Sequence, residues 1–456
     1  MLEEIYHIVW GYPLLILVTG VGLYLTLALR GLQFRYLFAG LRAAFGNSHD
    51  KNAPGDLSHF QSLMTALAAT IGIGNIAGVA TAMVSGGLGA VFWMWVMACI
   101  GMVIKYAEAC LAVKYRIVDA KGNMAGGPMY FIERGLSYKK LAIAFAFFGV
   151  FAAIGGGNML QANSVADVLR TVFSLSPSWT AVVLAIATAL SILGGIKSIG
   201  KIASFLVPFM ALIYVSGAVF ILFCSYDRIP HVLWTIVTSA FTGQAAFGGF
   251  LGATVQQAIQ TGVARALMTS EAGLGTASIA AASAKTDLPA RQALVSMTGS
   301  FLATCVMCSA TALVLGVTNA FGTIQENGMI VNGASMTVKA FESVMPHSGY
   351  IVSVCLVLFA FTTLLGWAYY GEQCIVYLFG TKATHYFRMV FILFVGIGAV
   401  LELEVVWKVS DIFNGLMAFP NLIGVLLLSP VVIAETRVFL DHLSQEQKLK
   451  EQNLAV

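Results

Sequence analysis

An all-α polytopic membrane protein of about eleven transmembrane helices is the fold class this sequence predicts. Three observations carry the prediction. Of 456 residues, 59% are apolar or aromatic and only 10% are charged, against the ~25% of a soluble domain. A chain so poor in charge cannot cover a water-facing surface. Apolar stretches near the ~20 residues that cross a hydrocarbon core recur along its whole length. Basic residues fall mostly in alternate connections, as the orientation rule for membrane proteins requires.

The segments read roughly as 11–30, 61–84, 88–113, 141–169, 178–195, 202–224, 234–268, 291–317, 348–379, 386–402 and 411–435. Residues Met1 to Trp10 carry Glu3 and Glu4 but no basic residue. They lack the basic start of a cleavable signal, so the first apolar segment is expected to stay as a helix. With the N-terminus outside, Arg35, Arg42, Lys51, Lys114, Arg116, Lys121, Arg134, Lys139, Lys140, Lys197, Lys201, Arg265, Lys285, Arg291, Lys382 and Arg388 lie on the inner side. The C-terminal tail then lies inside, and only Arg170, Arg228, Lys339 and Lys408 lie outside. The net charge of +4 adds nothing to this.

Two segments carry glycine-rich interruptions. Segment two contains Gly72-Ile73-Gly74-Asn75-Ile76-Ala77-Gly78, and segment seven contains Phe247-Gly248-Gly249-Phe250-Leu251-Gly252. Segment seven is too long for one straight span, so a break is expected in it. With one helix set aside, these are the first helices of two five-helix halves, and an odd number makes the halves run in opposite directions. The chain then divides as a single domain over 1–456. Residues 11–60 form an extra helix and inner loop, 61–224 a first repeat, 234–435 a second repeat, and 441–456 a polar cytoplasmic tail. Paired interruptions in inverted repeats point to a transporter's midplane site.

The chemistry follows from breaking a helix in hydrocarbon. An intact transmembrane helix satisfies its own backbone. A break frees N–H groups that attract an anion and carbonyls that suit a cation. An amino-acid zwitterion with Na⁺ matches both surfaces. Small-xxx-small packing between helices is the competing explanation for glycine here, and Gly74-xxx-Gly78 fits it. Segment nine adds Thr362-Thr363, whose hydroxyls either supply oxygens to a hard cation or bond back to their own helix. Trp367, one turn on, walls a small pocket or packs. In segment four, Asn158 and Gln161 share a face, with Gln161 expected to face a cavity.

Lys105 and Glu108, at i and i+3 near the inner end of segment three, read as a local ion pair. No carboxylate reads as lying at mid-membrane. Glu271 is the nearest, and Ser270-Glu271-Ala272-Gly273 looks like a helix cap. The seven cysteines show no zinc or disulfide spacing, and Cys305 and Cys308 read as packing. No zinc-protease, nucleophile-elbow or phosphate-loop motif occurs, so an enzyme and an ATP-driven pump are both excluded. A channel would line a continuous polar pore, whereas the polar residues here gather at the breaks.

Several runs resemble the alanine-or-glycine:cation symporter family, also called sodium:alanine symporters. They are Gly72-Ile-Gly-Asn-Ile-Ala-Gly-Val-Ala-Thr81, Gly86-Gly-Leu-Gly-Ala-Val-Phe-Trp-Met-Trp95, Lys105-Tyr-Ala-Glu108 through Ala112-Val-Lys-Tyr-Arg116, Gly126-Gly-Pro-Met-Tyr130, Gly262-Val-Ala-Arg265 and Ser270-Glu-Ala-Gly-Leu-Gly275. The resemblance runs in order over nearly the whole chain. It implies a LeuT-like fold of two inverted five-helix repeats preceded by one extra helix. It also implies Na⁺-coupled uptake of alanine or glycine across a bacterial-type inner (plasma) membrane. Related members take other small neutral amino acids, such as serine or glutamine.

By the same resemblance, the substrate carboxylate meets backbone N–H groups around Gly72, Ile73, Gly74 and Asn75. Its amine faces the second break near Phe247, Gly248, Gly249 and Phe250, and Gln161 and Trp367, read above from the residues themselves, are the further candidates for the pocket. Sodium sits among the carbonyls of Ala68, Ile71 and Phe359 and the hydroxyls of Thr362 and Thr363. Small neutral amino acid, Na⁺ and lipid are the implied partners. No cofactor and no nucleic acid is implied. The family's first loop usually reads Gly-Thr-Gly-Asn, and Ile73 replaces that threonine here, which narrows and dries the pocket. A proton-coupled symporter of the same fold is the alternative.

Overall fold

The computed structural model describes residues 2–46, 53–242, 254–321, 333–401 and 404–454, and these are almost entirely helical. A short amphipathic helix α1 (Leu2–Val9) leads into α2 (Tyr12–Ala28), which covers the first apolar segment. Segment two is interrupted as expected: α3 (His59–Thr70) ends, one 3₁₀ turn covers Ile73–Asn75, and α4 (Ala77–Gly86) resumes. Then come α5 (Gly89–Lys114), α6 (Lys139–Ile154) running through a π turn (Gly155–Met159) into α7 (Leu160–Phe173), α8 (Pro177–Ile192) and α9 (Gly195–Cys224).

Segment seven, in which a break is expected at its glycines, has residues 243–253 outside the described residues. It resolves into α10 (Ile229–Thr242) and α11 (Val255–Ser270), and after residues 271–275 a further helix, α12 (Thr276–Ala282), follows. The remainder is α13 (Pro289–Ser300), a π segment (Phe301–Cys308) and α14 (Ser309–Val317), then α15 (Gly333–Glu342), α16 (Ser348–Phe379), α17 (Thr384–Val400), α18 (Glu404–Leu427) and α19 (Ser429–Leu454). The polar C-terminal tail is helical through Leu454. One small hairpin pairs Ile117–Val118 with Met124–Ala125.

Local sequence explains where the interrupted helices start. Ser58 Oγ accepts the Gln61 N–H at 3.1 Å while Gln61 Oε1 accepts the Ser58 N–H at 3.1 Å. Thr254 and Gln257 repeat the arrangement at the head of α11, at 2.9 and 3.1 Å. Both are Ser/Thr-x-x-Gln capping boxes, which satisfy two orphan donors reciprocally.

Among the described residues, seven helices are long and apolar enough to cross a bilayer, and α2, α4 and α8 are shorter apolar helices. Burial ranks them. The most apolar stretch of α5 is 83% buried, whereas that of α9 is 28% buried. So α5 is the central post and α9 lies at the rim. The outward side chains of α9, among them Phe205, Leu212 and Phe223, are large, apolar and exposed. Water would not tolerate such a surface, and lipid does.

Candidate functional site

One cavity of about 80 Å³ lies between the first interruption and the non-helical segment Glu271–Gly275 that follows α11. From the first come Thr70, Gly72, Ile73, Gly74 and Gly78. From α11 and the segment after it come Arg265, Met268, Glu271 and Leu274. Gly156 and Gln161 close a second side, Thr363 and Trp367 a third, and Ser410, Asp411 and Asn414 of α18 a fourth.

At the first interruption the backbone is held open by its own asparagine. Asn75 Oδ1 accepts the Gly72 N–H at 3.1 Å, and Asn75 Nδ2 donates to Thr269 O at 3.2 Å and Ala303 O at 3.1 Å. Thr311 Oγ1 donates to the Asn75 carbonyl at 3.0 Å. Asn75 therefore fastens the break to α11 and to the π segment, and its side chain does not line the cavity. Among the described residues, the N–H groups of Ile73 and Gly74 find no acceptor. Both residues line the cavity. A Cβ built on Gly78 would meet nothing within 4 Å, and one on Gly74 only Thr269 Cγ2 at 3.9 Å. Tight helix packing is therefore not what these two glycines serve. Gly72 is different: a Cβ there would lie 2.6 Å from Thr363 Oγ1 and 3.5 Å from Gln161 Oε1.

Four of the five oxygen-bearing residues predicted for a cation come together beside that point. Thr363 Oγ1 lies 3.1 Å from Ala68 O and 2.9 Å from Phe359 O, and Thr362 Oγ1 lies 3.0 Å from Phe359 O. Both hydroxyls do bond back to their own helix, and Thr363 in addition reaches across to α3. All four groups are buried, neutral oxygen donors, the set a hard monovalent cation takes. Ile71 caps α3 and is buried, and its side chain lines a separate apolar cavity with Val207 and Met307. Its carbonyl accepts no hydrogen bond among the described residues.

Gln161 Nε2 donates to Gly156 O at 3.2 Å, across the π turn, while its buried Oε1 has no partner. The ring of Trp367 is 5.8 Å from that of Tyr370, and its Cβ sits where Gly157 leaves no room for a side chain. Asn158 does not face the cavity; its Nδ2 donates to Phe391 O at 2.7 Å and ties α6–α7 to α17. Phe247, Gly248, Gly249 and Phe250 lie outside the described residues.

Among the described residues the second interruption is Glu271–Gly275, and two expectations change with it. Glu271, read as a cap, does end α11 with φ +53, yet it also lines the cavity and accepts Thr276 Oγ1 at 3.1 Å. Asp411 lines the cavity too, and Trp10 Nε1 donates to its carbonyl at 2.8 Å. Carboxylates therefore do lie deep in the protein. Arg265, counted with the inner connections, sits inside α11 on the cavity wall. Lys105 and Glu108 do not serve one another as a pair. Lys105 Nζ donates to Ser270 O at 2.7 Å, and Glu108 Oε1 accepts the Gly273 N–H at 2.9 Å.

Sequence reasoning missed Arg265, Met268, Leu274, Thr70, Ser410, Asp411 and Asn414. Ser410, Asp411 and Asn414 carried a signal: a charge and two polar groups within one turn of an apolar helix are expensive unless they face a cavity. Reading 411 as a segment end hid it.

Residues 1–453 match the sodium:alanine symporter family. The chain belongs to that family. Its members are transporters, so this protein is a transporter and not an enzyme. It is 52% identical over 454 residues to the sodium/alanine symporter AgcS of Methanococcus maripaludis, covering 98% of each chain. It is 33% identical to the probable sodium/glutamine symporter GlnT of Bacillus subtilis, covering 97% of this chain and 90% of that one. A crystal structure of MhsT in complex with L-phenylalanine superposes with a TM-score of 0.58 at 13% identity, over 85% of this chain and 99% of that one. At that identity the likeness is of fold alone. This sodium:alanine symporter family member, with seven apolar helices among the described residues long enough to cross a bilayer, is a multi-pass membrane protein that shares the fold of that structure.

Proposed function

We propose that this protein is a sodium-driven symporter that carries a small neutral amino acid, alanine or glycine first, into the cell by alternating access. The observation that carries the reading is the cavity of about 80 Å³ where two interrupted helices meet, beside a cluster of buried neutral oxygens. That volume is far below the ~300–1,000 Å³ of drug-sized sites and suits a solute of a few heavy atoms. On this reading eleven spans form two inverted five-helix halves after one extra helix, in the plasma membrane, with the N-terminus outside and the C-terminus in the cytoplasm.

The unpaired N–H groups of Ile73 and Gly74 receive the carboxylate. The amine faces Glu271 and the carbonyls of the second break. Gln161 Oε1, buried and unpartnered, accepts a further hydrogen from the ammonium, while Ile73, Leu274 and Trp367 enclose the side chain. Na⁺ takes Ala68 O, Phe359 O and the Thr362 and Thr363 hydroxyls, with the Ile71 carbonyl as fifth oxygen. Its positive charge stands one residue from Gly72, so ion and carboxylate support each other.

Uptake of labelled alanine, glycine, serine and glutamine into proteoliposomes, with and without an inward Na⁺ gradient, tests the proposal. Na⁺-stimulated uptake that collapses in Thr362→Ala/Thr363→Ala is the expected result. Uptake indifferent to replacing Na⁺ with choline would overturn the sodium assignment. It would favour the second reading, a proton-driven symporter, which Glu271 and Asp411 on the cavity wall supply with candidate carriers.

A further inference from the structure

The second interruption has a feature that the binding of solute and ion does not use. Residues 270–275 leave helix α11 with a reversed backbone: Glu271 has φ +53, Gly273 φ +92 and Gly275 φ +81. The segment has neither a helix nor a sheet partner, and its own bonds are few: the Leu274 N–H to Glu271 O at 3.3 Å, the Ala272 N–H to Ser270 Oγ at 3.3 Å and Thr276 Oγ1 to Glu271 Oε2 at 3.1 Å. Its polar groups are instead met by side chains of two neighbouring helices. Lys105 Nζ on α5 donates to Ser270 O at 2.7 Å. One turn along the same helix, Glu108 Oε1 accepts the Gly273 N–H at 2.9 Å. Asn421 Nδ2 on α18 donates to Gly273 O at 2.8 Å and to Glu108 Oε1 at 2.6 Å. Gly273 is thus gripped at both its N–H and its carbonyl.

Lys105 is 1% exposed and Glu108 is fully buried. Burying two charges is costly unless each finds a partner of the right kind. A cation against the last carbonyl of the 16-residue α11 is favourable twice, through the hydrogen bond and through the negative end of the helix dipole. A carboxylate accepting a backbone N–H is the complementary case. The i, i+3 spacing on α5 sets the two groups ~5–6 Å apart on one face. The chain they meet turns from an acceptor at Ser270 to a donor at Gly273 over the same three residues.

We propose that Lys105 and Glu108, with Asn421, are positioning residues that hold the segment Ser270–Gly275 open so that Glu271 and Leu274 face the cavity. The pair acts on the break, not on itself. Since Oε2 of Glu108 has no partner, one oxygen does the holding, and a glutamine keeps that oxygen. The polarity is fixed: exchanging the two residues sets an acceptor against Ser270 O and a donor against the Gly273 N–H. A simple ion pair would survive that exchange.

The test uses the full chain reconstituted in lipid, with amide hydrogen exchange read on a peptide covering 268–276. Glu108→Ala is expected to speed exchange there at least tenfold, with the remainder of α5 unchanged, and Glu108→Gln to stay within threefold of the wild type. The exchanged pair Lys105→Glu/Glu108→Lys is expected to behave as Glu108→Ala does. Wild-type protection in Glu108→Ala, loss of protection in Glu108→Gln, or restored protection in the exchanged pair would each overturn the proposal. Should Glu108→Ala not fold, Asn421→Ala removes two of the same bonds, and its expected acceleration is at least threefold.

The accompanying uptake measurement rests on the symport reading above. Glu108→Ala should raise KM for the transported amino acid at least fivefold with Vmax within twofold, and Glu108→Gln should leave KM near the wild type. Unchanged KM in Glu108→Ala overturns the positioning role. Absence of uptake in the wild type overturns the symport reading alone, since the exchange experiment does not depend on it.

Discussion

Thr363→Val tests the oxygen cluster most directly, because valine keeps the shape and removes only the hydroxyl. In the structure Thr363 Oγ1 stands 3.1 Å from Ala68 O and 2.9 Å from Phe359 O, and Gly72 presses against it. Phe359 O keeps a donor in Thr362 Oγ1 at 3.0 Å, whereas no other donor reaches Ala68 O from outside its own helix among the described residues. Leaving one buried carbonyl short of a donor costs ~1–3 kcal/mol of stability. The effect on the ion is separate. Losing one of about five neutral oxygen ligands, at ~1.4–2.8 kcal/mol, raises the Na⁺ concentration for half-maximal uptake ~10–100-fold. Thr363→Ser restores the oxygen and should return that value to within about threefold of the wild type. The assay is amino-acid uptake into proteoliposomes as a function of Na⁺, at constant ionic strength, beside the melting temperature of the purified protein. A folded Thr363→Val protein whose Na⁺ half-saturation stays within twofold of the wild type would refute the reasoning. It would return both threonines to the role of helix-internal hydrogen bonds.

Gly72→Ala places a methyl 2.6 Å from Thr363 Oγ1, and an overpacking cost of ~1–3 kcal/mol should appear as lost Na⁺-stimulated uptake in protein of near-normal abundance. Asn75→Ala strips the Gly72 N–H, Thr269 O and Ala303 O of their partner, so a stability loss of ~2–5 kcal/mol is expected, read as a drop of several degrees in melting temperature. Trp367→Ala removes a whole wall of the cavity; uptake of glutamine should rise relative to that of alanine, as competition against labelled alanine would measure. Trp10→Phe deletes the 2.8 Å bond to Asp411 O and should lower stability by ~1 kcal/mol, seen as a small shift in the thermal midpoint.

The first interruption was legible in the sequence because its cause is local. Glycines at 72, 74 and 78 in an apolar stretch, with Asn75 between them, announce a helix that cannot continue. The structure breaks the helix at Gly72 and turns one 3₁₀ turn over Ile73–Asn75. Thr362-Thr363 was legible for a similar reason, since adjacent hydroxyls are scarce in apolar helices. The reach of Thr363 to Ala68 O, 295 positions away in the chain, is tertiary and came only with the fold.

The second interruption was harder to see because its cause is not local. Ser270-Glu271-Ala272-Gly273-Leu274-Gly275 reads as a helix cap, and the glycines at 248, 249 and 252 draw attention away from it. What makes 270–275 an open segment and not a simple turn is the grip of Lys105, Glu108 and Asn421, which lie on helices remote in sequence. The same remoteness explains the misread charges. On a sequence alone, Lys105 and Glu108 at i and i+3 satisfy each other, and nothing distinguishes that from each satisfying a backbone group elsewhere. Burial decides between the two. A fully buried carboxylate needs several donors, and one lysine a turn away cannot supply them. Glu108 Oε1 takes a backbone N–H and an amide donor instead. The two breaks are then one construction: Asn75 of the first holds Thr269 O while Lys105 of α5 holds Ser270 O, so successive carbonyls at the end of α11 are capped by two other parts of the chain. On the proposed reading, a solute in that cavity would touch both breaks at once, and displacement of either would reach the other through a single turn of α11.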